Sequence, residues 1–497
     1  MFKNFPGYKL LEKIQKSNSH KRERKLPLNA IKLIFIVAIT SVIALLPTES
    51  FGIEGLTVVH QRIISLFVFA ALMWLTEAMP SWVTSMIVVT IMLLTVSTSA
   101  FNFLRPEDGA GLVPFKSIMA CFANPTIMLF IGGFVLAIGL TKVKLDVALA
   151  RVLLKPFGTR SEIVLLGFIL VTAIFSAFVS NTATAAMMLA FLTPVLKSLP
   201  ADGKGRIALA LAIPVGANLG GMITPIGTPP NMIALDYLSS QGMGISFVDW
   251  TIKMAPFVIV LLLLSWLLLR FLFPFKQKHI KIEIEGDIKW DRHTWSVVAA
   301  FVITIFMWMF GTDLWGVDTN VVAMIPIAIF CATGILTRRD LEEINWSVLW
   351  MVAGGFALGV ALNYKDASSA SLSSLIVSTV PFDNFSPLVV MILAGIICFG
   401  FSNFISHSAA TSLLVPVLGV VAGGLGSSLD NFGGPQAMLV GIAIASSVSM
   451  ILPISTPPNA IAHSTGFIEQ KDMMKVGIII GLMGLALGYA MLIFIGF

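Results

Sequence analysis

Twice in this chain, an apolar run long enough to enter a membrane is interrupted by the same knot of helix-breaking residues. Thr224-Pro225-Ile226-Gly227-Thr228-Pro229-Pro230-Asn231 holds three prolines and a glycine in eight residues. Leu452-Pro453-Ile454-Ser455-Thr456-Pro457-Pro458-Asn459 repeats its last four residues at an offset of 228. Proline removes a backbone donor and clashes with the turn before it, so neither run continues as a regular helix. A second half-helix starts near Pro229, where proline suits a first turn. Irregular backbone at membrane depth is tolerated only where it lines a protein-enclosed cavity. The two breaks therefore belong in the interior.

Composition agrees with a membrane setting. The 497 residues are 57% hydrophobic and 12% charged, with mean hydropathy +0.92, and long apolar stretches recur throughout. This is the composition of an all-α polytopic membrane protein embedded in a lipid bilayer. The net charge of +6 needs no nucleic-acid partner. Lys and Arg gather on one predicted side, as cytoplasmic loops require. Cys121, Cys331 and Cys398 are dispersed and give neither a disulfide framework nor a metal-ligand spacing. The first apolar run lacks an A-x-A cleavage pattern and reads as a retained span.

In chain order, residues 1–30 form a basic cytoplasmic tail, 31–274 a first half, 275–293 a cytoplasmic linker and 294–497 a second half. Eleven spans are predicted, near 31–46, 63–79, 82–98, 126–140, 207–241 (broken), 252–274, 294–311, 319–335, 346–363, 436–468 (broken) and 476–496. The basic, periodically apolar stretch 141–158 reads as an interfacial amphipathic helix. Ser180-Asn181-Thr182 sits between two apolar arms, each too short or too interrupted for a span of about 20 residues. Such polar residues can also glue helices together. Here they read as the tip of a re-entrant hairpin, 161–197, matched by a second at 386–417. The N-terminus is expected in the cytoplasm and the C-terminus outside, in a cell inner (plasma) membrane.

Self-similarity sets the architecture. Gly132-Gly133-Phe134 recurs as Gly354-Gly355-Phe356, Ser180-Asn181 as Ser402-Asn403, and Pro194 as Pro416, all at an offset of 222. The flanking charges turn the two copies to opposite sides, the signature of an inverted-repeat secondary transporter with its site at the midplane. No HExxH, intramembrane aspartate pair or Ser-His arrangement suggests an enzyme. Hairpin tips and broken helices bring several helix N-termini to one place, which favours an anion. With no Lys or Arg in the tips, co-bound cations are needed, and carbonyl, Ser and Asn oxygens suit Na⁺.

These residues resemble the divalent anion/sodium symporter family. The carriers are Met73-Trp74-Leu75-Thr76-Glu77-Ala78-Met79-Pro80, Ser180-Asn181-Thr182, Gly227-Thr228-Pro229-Pro230-Asn231, Ser402-Asn403 and Thr456-Pro457-Pro458-Asn459. The resemblance implies a homodimer of elevator type that imports succinate-, malate- or citrate-like anions with Na⁺; some members are sodium-independent exchangers. It implies a first sodium site at Ser176, Ser180, Asn181 and Gly227, and a second at Cys398, Phe401, Asn403 and Ser455. Substrate carboxylates would meet Asn181, Thr182, Thr228, Ser402, Asn403, Thr456 and Pro457. The second Ser-Asn-Thr is Ser402-Asn403-Phe404 here, which implies a lost hydroxyl. His407, matched to Ala185 by that offset, is open to three readings: a packing residue, a proton-linked cation or an anion ligand. Glu77 reads as an interfacial carboxylate.

Overall fold

The computed structural model describes residues 26–107, 109–200, 203–280, 289–366 and 369–497. Lys3 to Lys25 of the predicted tail and residues 281–288 of the predicted linker lie outside the described residues. Among the described residues every regular element is a helix. That is how a chain satisfies its backbone hydrogen bonds where water is absent. Nine of these helices are long and apolar enough to cross a membrane, and five more are shorter apolar helices. The chain is a multi-pass membrane protein.

Unbroken spans appear as Leu26–Leu45, Val58–Thr76, Ser81–Thr95, Pro125–Lys142, Phe247–Leu272, Arg292–Trp315, Trp346–Asn363 and Gln470–Phe494. The run expected over 319–335 is divided into Thr319–Val322 and Met324–Ala332. Pro326, in the first turn of the second piece, has no N–H to offer the turn before it. The basic amphipathic helix is Leu145–Leu154. A counterpart in the second half, Leu372–Thr379, was not expected from the sequence. Arg292–Trp315 leaves Val302, Ile303, Phe306 and Phe310 exposed, an apolar face suited to lipid.

Each hairpin consists of two helices around a short break: Ser161–Phe178 with Asn181–Ser198, and Pro387–Phe404 with His407–Leu425. Each broken span likewise has two pieces: Gly205–Gly220 with Pro229–Ser240, and Gly434–Ser447 with Pro457–Ser464. Gly205–Gly220 packs along Ser161–Phe178 at close backbone range. A Cβ on Gly216 would stand 2.6 Å from the Ile169 carbonyl oxygen, so only glycine permits the approach. The halves interleave: Pro229–Ser240 packs on His407–Leu425 and Gly434–Ser447, while Pro457–Ser464 packs on Asn181–Ser198 and Gly205–Gly220. Against this group stand Ser81–Thr95 with Trp346–Asn363, and Pro125–Lys142 with Met324–Ala332.

The second hairpin corrects the expected register. Both incoming arms are 18 residues long, and they correspond at an offset of 226, not 222. The chain therefore does not turn at Ser402-Asn403. It turns at Ile405-Ser406, in extended backbone matching Val179-Ser180. Ser402 occupies the place of Ser176, His407 that of Asn181, and Ser408 that of Thr182.

Candidate functional site

The hairpin tips are built by serine caps. Ser180 and Ser406 each accept a hydrogen bond from the backbone N–H three residues on, Ala183 and Ala409, at 3.3 Å. This fixes the starts of Asn181–Ser198 and His407–Leu425. Thr228 and Thr456, in extended backbone, open the two half-helices that begin with a proline pair. Those prolines carry no N–H. The first-turn donors that no helical carbonyl can reach therefore come from the hairpins, at Asn181, Thr182, His407 and Ser408.

All four helix starts border one cleft of about 250 Å³. Its first wall holds Ser180-Asn181-Thr182, Gly227-Thr228, Ser406-His407-Ser408 and Ser455-Thr456-Pro457. The facing wall comes from the other helices: Trp82, Phe134, Ser347 and Met351. Among the described lining residues none is Asp, Glu, Lys or Arg. Positive potential must come from helix N-termini or from a bound cation.

Beside the first tip, backbone and side-chain oxygens gather. A Cβ on Gly227 would stand 2.9 Å from the Ser176 carbonyl oxygen and would collide with that of Gly221. Glycine thus lets both carbonyl oxygens approach the backbone closely. Ser176 Oγ lies 2.6 Å from Asn181 Oδ1 and 2.7 Å from the Ala217 carbonyl oxygen, and the Asn181 amide packs on Gly221. Oxygen donors of this kind suit a hard cation. Asn218, also on the cleft, donates from Nδ2 to Asn459 Oδ1 at 3.0 Å and to Thr456 Oγ1 at 3.3 Å, tying the two halves together.

The structure brings Ser180, Asn181, Thr182, Gly227, Thr228, Ser455, Thr456, Pro457 and His407 to the cleft, with Ser176 behind Asn181. Ser402, Asn403, Cys398 and Phe401 do not line it. The reason is the register, which leaves them inside the incoming arm. Asn403 spends its amide internally, donating from Nδ2 to the Phe399 carbonyl at 2.7 Å and accepting at Oδ1 from the Ile451 N–H at 2.9 Å. Cys398 is buried, with Sγ 3.5 Å from the Ile442 carbonyl oxygen. Ser402 Oγ donates to Ser446 Oγ at 3.2 Å. Phe404 is 64% exposed and displaces no hydroxyl, since Ser408 stands where Thr182 does. Ser406, Ser408 and Asn218 were missed by the sequence reading. A signal existed: Phe175-Ser176-Ala177-Phe178-Val179-Ser180 parallels Phe401-Ser402-Asn403-Phe404-Ile405-Ser406.

A second cavity, of about 640 Å³, lies toward the far ends of Pro229–Ser240 and Trp346–Asn363. There Thr126 Oγ1 donates to Asp236 Oδ1 at 2.8 Å, linking the two groups of helices.

Residues 28–496 match the model of the sodium:sulfate symporter transmembrane region. The chain is 30% identical over 469 residues to an uncharacterized transporter of Haemophilus influenzae, covering 91% of this chain and 94% of that protein. It is 28% identical to the sodium-dependent dicarboxylate transporter SdcS of Staphylococcus saprophyticus, over 85% of this chain and 83% of that one. Its identity to the inorganic phosphate transporter PHO87 of Saccharomyces cerevisiae is also 28%, covering 90% of this chain and 47% of that longer protein. In fold it resembles the crystal structure of the Alcanivorax borkumensis YdaH transporter, with TM-score 0.54 at 13% identity, over 88% of this chain and 99% of that one.

Proposed function

We propose, for a chain that belongs to the sodium:sulfate symporter family of membrane transporters, that it imports small di- and tricarboxylate anions by sodium-coupled symport. Family membership makes it a transporter and not an enzyme. The observation that carries the substrate reading is the cleft. Four helix starts, polar side chains and no fixed charge suit a dianion whose charge is balanced partly by dipoles and partly by Na⁺. Ser176, Ser180, Asn181 and Gly227 would hold one sodium ion, through the oxygens gathered at Gly227. Asn181, Thr182, Thr228, Thr456 and Pro457, with Ser406 and Ser408 from the corrected register, would face the carboxylates.

In this reading the halves are an inverted repeat, the N-terminus is cytoplasmic and the C-terminus outside, in the inner (plasma) membrane. The cleft then opens inward, because Ser81 and Asn345, which line it, stand at the starts of spans that a cytoplasmic N-terminus places on the inner side. Hairpins and broken helices form the mobile body of a homodimeric elevator, sliding along the wall that carries Trp82 and Met351. The Thr126–Asp236 hydrogen bond would break on that movement.

The test is uptake into proteoliposomes of labelled succinate, citrate, 2-oxoglutarate, sulfate and phosphate, each with and without Na⁺. Saturable, Na⁺-requiring uptake of a carboxylate supports the proposal. Full-rate carboxylate exchange without Na⁺ would identify an exchanger, and a preference for sulfate or phosphate would replace the substrate class.

A further inference from the structure

The halves present matching backbones to the cleft but different chemistry, and the difference falls on one ring nitrogen. Residues 218–231 and 446–459 correspond at an offset of 228, which pairs Gly221 with Ser449, Gly227 with Ser455 and Asn231 with Asn459. The tips correspond at 226, which pairs Asn181 with His407. At the first tip the Asn181 amide oxygen lies 2.6 Å from Ser176 Oγ and the amide packs on Gly221, while the carbonyl oxygens of Ser176 and Gly221 both approach Gly227, which has no side chain.

At the second tip the same neighbourhood holds a donor. His407 Nε2 lies 2.5 Å from the Ser449 carbonyl oxygen. A carbonyl oxygen can only accept, so Nε2 carries the hydrogen that points at it. The imidazole has no oxygen to offer a cation, and its N–H engages the carbonyl that pairs with Gly221. Ser455 puts a side chain where the first half has none, and its hydroxyl donates to the Leu452 carbonyl at 2.8 Å. Asn403 cannot substitute, since both ends of its amide are engaged.

We propose that the hairpin tips hold a single sodium ion, at the first tip, and that the His407 N–H stands in the place of a second. The inference rests on the sodium-coupled reading above. It adds that the two repeats have unequal roles: one binds the coupling ion and the other supplies a fixed hydrogen-bond donor. Restoring an amide at position 407 should recreate a cation site.

The experiment is a Na⁺ titration of the purified full-length protein in detergent, without substrate and at constant ionic strength, read by tryptophan fluorescence and thermal melting. The ratio of ²²Na⁺ to labelled succinate is measured in proteoliposomes alongside. The wild type should respond with a Hill slope of about one, and His407→Asn should raise it toward about two, the slope being bounded by the number of sites. The ²²Na⁺ ratio should rise with it. A wild-type slope of about two, or a slope unchanged in His407→Asn, would overturn the proposal while leaving sodium coupling intact. If His407→Asn does not elute as a folded protein, His407→Gln carries the same comparison. Absence of any Na⁺ response would instead overturn the symport reading and take this proposal with it.

Discussion

Asn403 accepts the Ile451 backbone N–H at 2.9 Å and so fastens the second hairpin to the loop of the second broken helix. Asn181, by contrast, is half-buried on the cleft, with its amide oxygen beside Ser176. Two asparagines that look equivalent in sequence therefore do different work. One joins two elements, and the other faces the cleft.

Asn403→Ala should lower stability. It strands the partly buried N–H of Ile451, a cost of about 1–2 kcal/mol, while the Phe399 carbonyl keeps the Ser449 hydroxyl as a donor. The expected readout is a lower melting temperature in detergent. Asn181→Ala should leave melting within a few degrees of wild type and reduce transport at least about tenfold, the effect of losing some 1.4 kcal/mol of binding. A stable, fully active Asn181→Ala protein would return that residue to helix packing.

Orientation can be read by labelling. On a background lacking Cys121, Cys331 and Cys398, a cysteine replacing exposed Lys204, at the base of the first hairpin, should react only from the cytoplasmic side. One replacing exposed Ser427, at the base of the second, should react only from outside. Reaction of both from one side would contradict an inverted repeat.

Asp146, on the amphipathic helix Leu145–Leu154, gives a pH signature. Burial pushes its carboxyl up to about 6, against hydrogen bonds from the Val147 N–H and Thr141 that favour the charged form. A folded-state value above the unfolded one means that folding favours the protonated acid. Stability is then full below about pH 4 and falls as pH rises through about 6. Two units amount to about 3 kcal/mol at most. Asp146→Asn keeps an acceptor for Val147 and should raise the melting temperature at pH 7 but not at pH 4. Equal melting of the two proteins at pH 7 would contradict this.

Most of the helices could be read from the sequence because each rests on a local signal. Apolar length marked the spans, proline pairs marked Pro229 and Pro457, and polar tips marked the hairpins. The hydroxyl and amide at Ser180-Asn181-Thr182 were legible for the same reason. What failed was long-range register. The second half is four residues longer before its hairpin, between Gly354 and Ser402, so an offset that fits Gly132 no longer fits Ser176. A chance Ser-Asn dipeptide at Ser402-Asn403 then hid the true tip at Ser406-His407-Ser408. Asn218 was invisible for another reason: its place on the cleft depends on interleaving of the halves, which no local pattern encodes.

In the proposed symport a sodium gradient does work on a carboxylate. In proteoliposomes loaded with K⁺ buffer, an inward Na⁺ gradient imposed from outside should drive labelled succinate above its external concentration, and the accumulation should collapse when the gradient is dissipated. Accumulation that is the same with Na⁺ or K⁺ outside, or uptake that only ever reaches equilibrium, would rule out sodium-coupled symport.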